Sequence, residues 1–250
     1  MRRSVPPLEP PGSRVTAQNG TGGERPLPCN SGDATASPLF FRFATPMTDD
    51  PRELRQRLRE LRRALPAAEQ RQAALAVARR LEDWPPWTSA VRIAGYWACG
   101  GELDPAPLLE RARAAGRSVY LPVLTGEYSL HFAPSLPGAP LRRNRFKIPE
   151  PDVSPLEWLE PSRLDLVLTP LVAFDRTGMR LGMGGGFYDR AFAFLRDPAY
   201  RGHRPMLLGL GYEFQQTAEL VRQAWDVPLA AAVTEAALYV FAEGSASATV

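Results

Sequence analysis

LDLVLTPLVAFDRTGMRLGMGGGFYDRAFAFL, residues 164–195, decides how this chain is read. Leu164–Phe174 is almost entirely apolar, which is the pattern of a strand covered on both faces of a parallel sheet. Asp175 and Gly178 suit the first and last positions of a type I turn. Gly182-Met183-Gly184-Gly185-Gly186 follows, and then a helix is predicted over Phe187–Leu195. A strand, a glycine run and a helix in that order place the glycines outside the carboxyl end of a strand, where open α/β sheets bind ligands. Glycines let main-chain amides approach phosphate oxygens, and a helix start adds a positive dipole end. Arg180 and Arg190 bracket the run with fixed charge. Asp189, just inside the helix, is a candidate ligand for a Mg²⁺ that bridges phosphates. The run is neither the Walker pattern nor the dinucleotide fingerprint. A flexible turn packed on the sheet is the plain alternative. Against that reading stand four glycines, two arginines, an aspartate and two aromatics within residues 180–190.

Outward from this stretch, strands and helices alternate. Strands are expected at Val91–Ala98, Ser118–Leu124, Leu130–Ala133, Met206–Tyr212, Leu229–Val233 and Leu238–Phe241. Pro105–Ala115 reads as a helix capped by Asp104 and stopped by Gly116. Residues 134–162, rich in proline, read as a long connection with a short helix near Pro155–Leu159. Upstream, Asp49 or Asp50 caps a helix with Pro51 at its first position. Leu54, Leu58, Leu61 and Leu65 form its buried stripe. Arg52, Arg55, Arg59, Arg62 and Arg63 share an arc beside that stripe, read as a solvated or RNA-binding face. A second helix covers Ala67–Asp83, ending before Pro85 and Pro86. The expected fold is α/β: one three-layer domain with a mostly parallel sheet over residues 47–243. Residues 1–46 carry many prolines and glycines without periodicity and are expected to be a disordered extension. A mitochondrial-type presequence is the other reading of that segment. Residues 244–250 are expected to be a flexible tail.

Composition bounds the function. Of the 30 basic residues 29 are arginine, with Lys147 the exception. That suits anionic ligands, although a compositional bias of the source genome is the plainer explanation of the ratio. A net charge of +3 does not call for nucleic acid. Cys29 and Cys99 form no CxxC pair, which fits free thiols in a reducing compartment. No apolar run approaches the roughly 18 residues of a membrane span. Residues 1–20 lack the apolar core of a secretory signal. A cytoplasmic monomer is expected, with no membrane or nucleic-acid partner.

RLGMGGGFYDR (Arg180–Arg190), preceded by TPLVAFD, resembles the signature of the 5-formyltetrahydrofolate cyclo-ligase family. The resemblance continues through YWACGGELDPAPLL (Tyr96–Leu109), VYLPVL (Val119–Leu124), KIPEP (Lys147–Pro151), LGLGYEFQ (Leu208–Gln215) and WDVPLAAAVTE (Trp225–Glu235). It implies a NagB/RpiA/CoA-transferase-like fold and conversion of 5-formyltetrahydrofolate and ATP to 5,10-methenyltetrahydrofolate, ADP and phosphate, with Mg²⁺ accompanying ATP. By resemblance, Arg180, Leu181, Gly182, Met183, Gly184, Gly185, Gly186, Phe187 and Tyr188 form the ATP loop, with Met183–Phe187 also facing folate. Asp189 and Asp226 match magnesium ligands, Trp97 and Glu102 match folate-binding positions, and Arg55 matches an ATP-contacting arginine. No residue is identified as a covalent catalyst. Where the family usually has a lysine, this chain has Pro51, and Arg52 is the candidate to replace it. Gly185 stands where some relatives have a lysine. Read on their own, Asp104 is a helix cap, Asp175 a turn residue, Asp226 a loop acid, Trp97 a core side chain, and Phe192, Phe194 and Leu195 core. His131 and His203 have no assigned role. Other readings are an enzyme of the same fold acting on a sugar phosphate or CoA ester, and a non-catalytic RNA-binding relative. Deleting residues 1–46 is expected to leave both catalytic turnover and melting temperature near their full-length values, and a loss of folding would refute that boundary.

Overall fold

The computed structural model describes residues 50–241, so expectations for the extension, Asp49 and the tail lie outside the described residues. Helix α1 (Pro51–Ala64) begins where the Asp50 side chain accepts from the Arg52 amide, and it buries Leu54 and Leu58. Then come α2 (Ala67–Arg80), α3 (Pro85–Ser89), β1 (Arg92–Ala94), α4 (Ala106–Ala114), β2 (Ser118–Thr125) and β3 (Ser129–Pro134). A hairpin of β4 (Leu141–Arg143) and β5 (Pro149–Pro151) precedes β6 (Leu166–Pro170), β7 (Ala173–Phe174), β8 (Arg180–Leu181) and α5 (Phe187–Ala191). The chain closes with β9 (Met206–Leu210), β10 (Ala231–Val233) and β11 (Leu238–Val240).

Seven strands form the main sheet in the order β11-β10-β9-β6-β1-β2-β3. The five inner strands run parallel, and β3 and β11 are antiparallel edges. Successive side chains alternate between two cores, as the period of two requires. Ile93, Leu166, Leu168, Leu208 and Val233 face α1, α2 and α4, while Ala94, Val167, Leu207 and Ala232 face Phe132, Phe174 and Phe192. These are the three layers the sequence led us to expect. Phe192, fully buried below α5, stacks on Tyr188 at 6.2 Å, and burial of such a side chain contributes about 1.5–3 kcal/mol.

The departures have local causes. Leu164–Phe174 is not one strand. Pro170 lacks an amide for further pairing, and Leu171 turns away to give its carbonyl to Arg62 Nη1 and Gln215 Nε2, both at 3.0 Å. Residues Ala173–Phe174 then pair with Arg180–Leu181 in a separate small sheet. The second helix stops at Arg80, and the prolines expected to end it instead start α3. The helix after the glycines ends at Ala191 and passes into a 3-10 turn over Ala193–Arg196. The connection at 134–162 contains the β4–β5 hairpin. Buried Glu150 anchors it, accepting from the Leu124 amide at 2.8 Å and Asn144 Nδ2 at 2.9 Å. Asp104 does cap α4 through the Ala106 amide, and Asp175 holds its turn through Thr177 and Met179.

Asp165, at the entrance to β6, accepts from the amides of Val91 and Arg92 and pairs with the Arg92 guanidinium at 2.9 Å. Burial pushes its carboxyl up, but Arg92 and the two amides outweigh that and hold it below the usual range. This stabilisation is therefore complete above the unfolded value of about 3.9 and is lost as pH falls through the lower folded value. Asp165→Asn is expected to lower unfolding free energy at pH 7 by about 2 kcal/mol, read by urea denaturation. The difference from wild type should shrink below about pH 4; a constant difference would count against the assignment.

Candidate functional site

The carboxyl ends of β1 and β6 open on a cavity of about 570 Å³, within the usual range for small-molecule sites. The glycine run forms one wall. Gly184 (φ 98°) and Gly186 (φ 63°) occupy the left-handed region, which explains glycine at both positions. Two arginines hold the loop by its carbonyls: Arg55 Nε donates to Gly182 O at 2.9 Å, and Arg190 Nη1 to Gly185 O at 2.6 Å. Among the described residues, the amides of Gly182 to Gly186 donate to no protein acceptor. The wall thus offers free amide donors, with the carbonyls of Gly182, Gly185 and Gly186 already engaged, an arrangement that suits an anion.

Beneath the loop lies a buried charge pair. Arg180 Nη2 meets Asp189 Oδ1 at 2.6 Å, and Arg180 Nη1 donates to Val227 O at 2.6 Å. The Val227 amide returns to the same Asp189 oxygen at 3.1 Å. Burial lowers the Arg180 pKa from its ordinary value, while Asp189, Tyr188 and Asp226 oppose that shift. Asp226 Oδ2 accepts from the Gln223 amide at 2.7 Å. The backbone contacts of Val227 therefore carry Asp226 to the neighbourhood of Asp189, although 37 residues separate them in sequence. Among the described residues no group of three or more His, Cys, Asp or Glu side chains is arranged to hold a metal.

The facing wall comes from the segment after β1. Gly101 (φ 79°) packs so tightly on α1 that a Cβ there would lie 2.5 Å from the Arg62 carbonyl. This turn delivers Glu102, whose Oε2 accepts from the Cys99 amide at 3.0 Å. Burial pushes the Glu102 carboxyl up, and the Cys99 amide, Arg62 and Arg59 restrain it. Trp97, 37% exposed, lies along the cavity rather than in the core. Phe146 and Ile148 of the β4–β5 hairpin close a third side, with Phe146 edge-on to Phe187 at 6.1 Å. Burial raises the Tyr188 hydroxyl pKa well above its ordinary value, with Glu102 adding to the shift.

Arg180, Gly182, Met183, Gly185, Gly186, Phe187, Tyr188, Asp189, Trp97 and Glu102 line this cavity together. Leu181 and Gly184 belong to the same loop, and Arg55 reaches it at Gly182. Arg52 stands exposed on the first turn of α1, its amide on Asp50. The arginine arc of α1 is not a uniformly solvated or RNA-binding face: Arg62 is 1% exposed, and Arg59, Arg62 and Arg63 line the cavity. Sequence reasoning missed Arg62 and the hairpin. The signal for Arg62 was its place two turns beyond Arg55 on the same helix. For the hairpin it was the alternation of Phe146, Ile148 and Glu150.

The model of the 5-formyltetrahydrofolate cyclo-ligase family matches residues 47–235. A 5-formyltetrahydrofolate cyclo-ligase of Escherichia coli K12 is 40% identical over 179 residues, covering 71% of this chain and 96% of the relative. That of Haemophilus influenzae is 37% identical over 185 residues, covering 73% and 96%. The NMR structure of an Aquifex aeolicus 5,10-methenyltetrahydrofolate synthetase superposes with a TM-score of 0.66 at 29% identity, covering 78% of this chain and 94% of that one.

Gly101→Ala is expected to destabilise the chain by about 1–3 kcal/mol, because the left-handed backbone and the Arg62 carbonyl both oppose a Cβ. Chemical denaturation measures this; unchanged stability would mean the turn does not pack on α1 as described.

Proposed function

Because this chain belongs to the 5-formyltetrahydrofolate cyclo-ligase family, we propose that it uses ATP to close 5-formyltetrahydrofolate to 5,10-methenyltetrahydrofolate. The observation that carries the reading is the row of uncommitted amides, Gly182–Gly186, on the wall of a cavity that also holds Trp97 and Glu102. The amides and Arg55 address the phosphates, and Trp97, Glu102 and Met183–Phe187 address the folate. Arg52 stands near the start of the same helix as a further, more distant cation for ATP.

The N5-formyl carbon is amide-like and a poor electrophile. Its oxygen attacks the γ-phosphorus of ATP, the bond from that phosphorus to the bridging oxygen breaks, and ADP leaves. The resulting iminium phosphate is attacked at carbon by the N10 lone pair. N10 gives up its proton, the carbon–oxygen bond breaks, and inorganic phosphate departs with the formyl oxygen. The product amidinium spans N5 and N10. This chemistry needs no protein nucleophile; it needs alignment of two substrates and neutralisation of moving charge. The loop amides hold the transferring phosphoryl group, and Arg180 keeps Asp189 in place beneath it. The edge-to-face pair of Phe146 and Phe187 shields the reacting atoms from water.

Asp189 and Asp226 would hold a Mg²⁺ that arrives with ATP: each keeps one carboxylate oxygen outside its hydrogen bonds to Arg180, Val227 and Gln223, and that ion commonly takes one or two carboxylates. When bound, it would supply positive charge to the phosphates.

Purified protein with 5-formyltetrahydrofolate, ATP and Mg²⁺ should develop methenyl absorbance, and absence of that product would remove the proposal. Asp189→Ala is expected to lower kcat by about a hundredfold or more with an unchanged circular dichroism spectrum. Normal turnover in that variant would withdraw Asp189 from the phosphate site.

A further inference from the structure

Arg62 differs from its neighbours on α1 by being 1% exposed. A guanidinium removed from water carries five donors that need partners. Here Nη1 donates to Leu171 O at 3.0 Å and lies 3.8 Å from Glu102 Oε1, while Nε has no partner among the described residues. An apolar residue would fill this part of α1 without that desolvation cost. The charge at this position is therefore explained by what it faces.

It faces a largely enclosed carboxylate of the cavity, Glu102. The Glu102 side chain is 11% exposed, and its Oε2 is occupied by the Cys99 amide. That leaves Oε1, on the Arg62 side, to receive a donor from a ligand. Every element packed around Glu102 contributes charged or titratable groups. Arg62 and Arg59 come from α1, Tyr188 from α5 and Tyr212 from the end of β9, with Tyr96, Cys99 and Asp104 on its own segment. Of the two arginines, Arg62 makes the ion pair. The same side chain holds the Leu171 carbonyl, together with Gln215, at the bend from which the chain proceeds to the glycine loop.

We infer that Arg62 is a positioning residue for folate: it keeps the Glu102 carboxylate ionised and oriented to the cavity, and ties that wall to the bend leading to the glycine loop. This rests on the reading of Glu102 as an acceptor for pterin N–H groups. An ionised Glu102 accepts at both oxygens, whereas a protonated one turns an acceptor into a donor and repels the same ligand edge.

Arg62→Gln keeps a donor near Leu171 but removes the charge, and Arg62→Lys keeps the charge. The carboxyl-carbon resonance of Glu102, assigned by its disappearance in Glu102→Gln, is titrated in wild type and both variants. The pH dependence of kcat/KM for 5-formyltetrahydrofolate is followed alongside. Expected are an ionised Glu102 at neutral pH in wild type and, in Arg62→Gln, a higher Glu102 pKa with the acid limb of kcat/KM moved up by the same amount. A shift of one unit raises the folate KM by about tenfold on that limb, with the KM for ATP nearly unchanged and Arg62→Lys restoring the profile. A purely structural Arg62 would scale activity without moving the limb. An unmoved Glu102 titration in folded Arg62→Gln overturns the inference, as does a Glu102 still protonated at pH 7 in wild type, a measurement that needs no variant to fold. If Glu102→Gln instead leaves the folate KM unchanged, it is the pterin reading of Glu102 that fails, while the titration still decides whether Arg62 governs that charge.

Discussion

The carbonyl of Leu171 accepts two side-chain hydrogen bonds, from Arg62 and from Gln215, immediately after the central strand β6 ends at Pro170. A parallel strand buried on both faces has to leave the sheet without abandoning polar groups in the core. This chain solves that requirement with one arginine from α1 and one glutamine from the turn after β9. Gln215 also reaches the Val172 carbonyl and takes the Tyr212 amide on its own oxygen. The exits of β6 and β9 and the far end of α1 are thereby joined at one point. The β7–β8 hairpin and the glycine loop follow from where that point lies.

Arginine chemistry organises the rest of the site. Arg55 and Arg190 engage loop carbonyls, Arg180 engages Asp189 and Val227, and Arg62 engages Leu171 and Glu102. Guanidinium groups present several donors in a rigid fork, so one side chain can join two backbone segments. With the Gly182 and Gly185 carbonyls engaged and the loop amides donating to no protein acceptor among the described residues, the loop has donors left for a ligand, which is the physical basis for reading it as a phosphate site. These four arginines therefore have a structural use here, whatever the origin of the compositional bias.

Much of this architecture was legible in local pattern. The apolar run from Leu166 to Leu168 reports a strand with both faces covered, because both sets of alternating side chains have a core to meet. Gly178, Gly184 and Gly186 announce their turns because few other residues tolerate their positive φ, and Asp175 does so because its side chain accepts from the amides of its own turn. The family motif then brought Trp97, Glu102 and Asp226 to attention, and the fold sets Trp97 and Glu102 on the loop's own cavity. Arg62 was hidden for a definite reason. A helical arc identifies which residues share a side but not what lies opposite, and the partners of Arg62 are 40 and 109 residues away in sequence.

By itself, the sequence determined the alternation of strands and helices, the buried character of β6, the turn at Asp175 and the flexible geometry of the glycine run, since each depends on periodicity or on backbone preferences within a few residues. Only the tertiary structure decided that β6 bends at Pro170, that residues 141–151 form a wall of the cavity, and that Arg62 leaves solvent to pair with Glu102. Those outcomes depend on long-range competition for hydrogen bonds and on burial, and neither is encoded in the spacing of neighbouring residues.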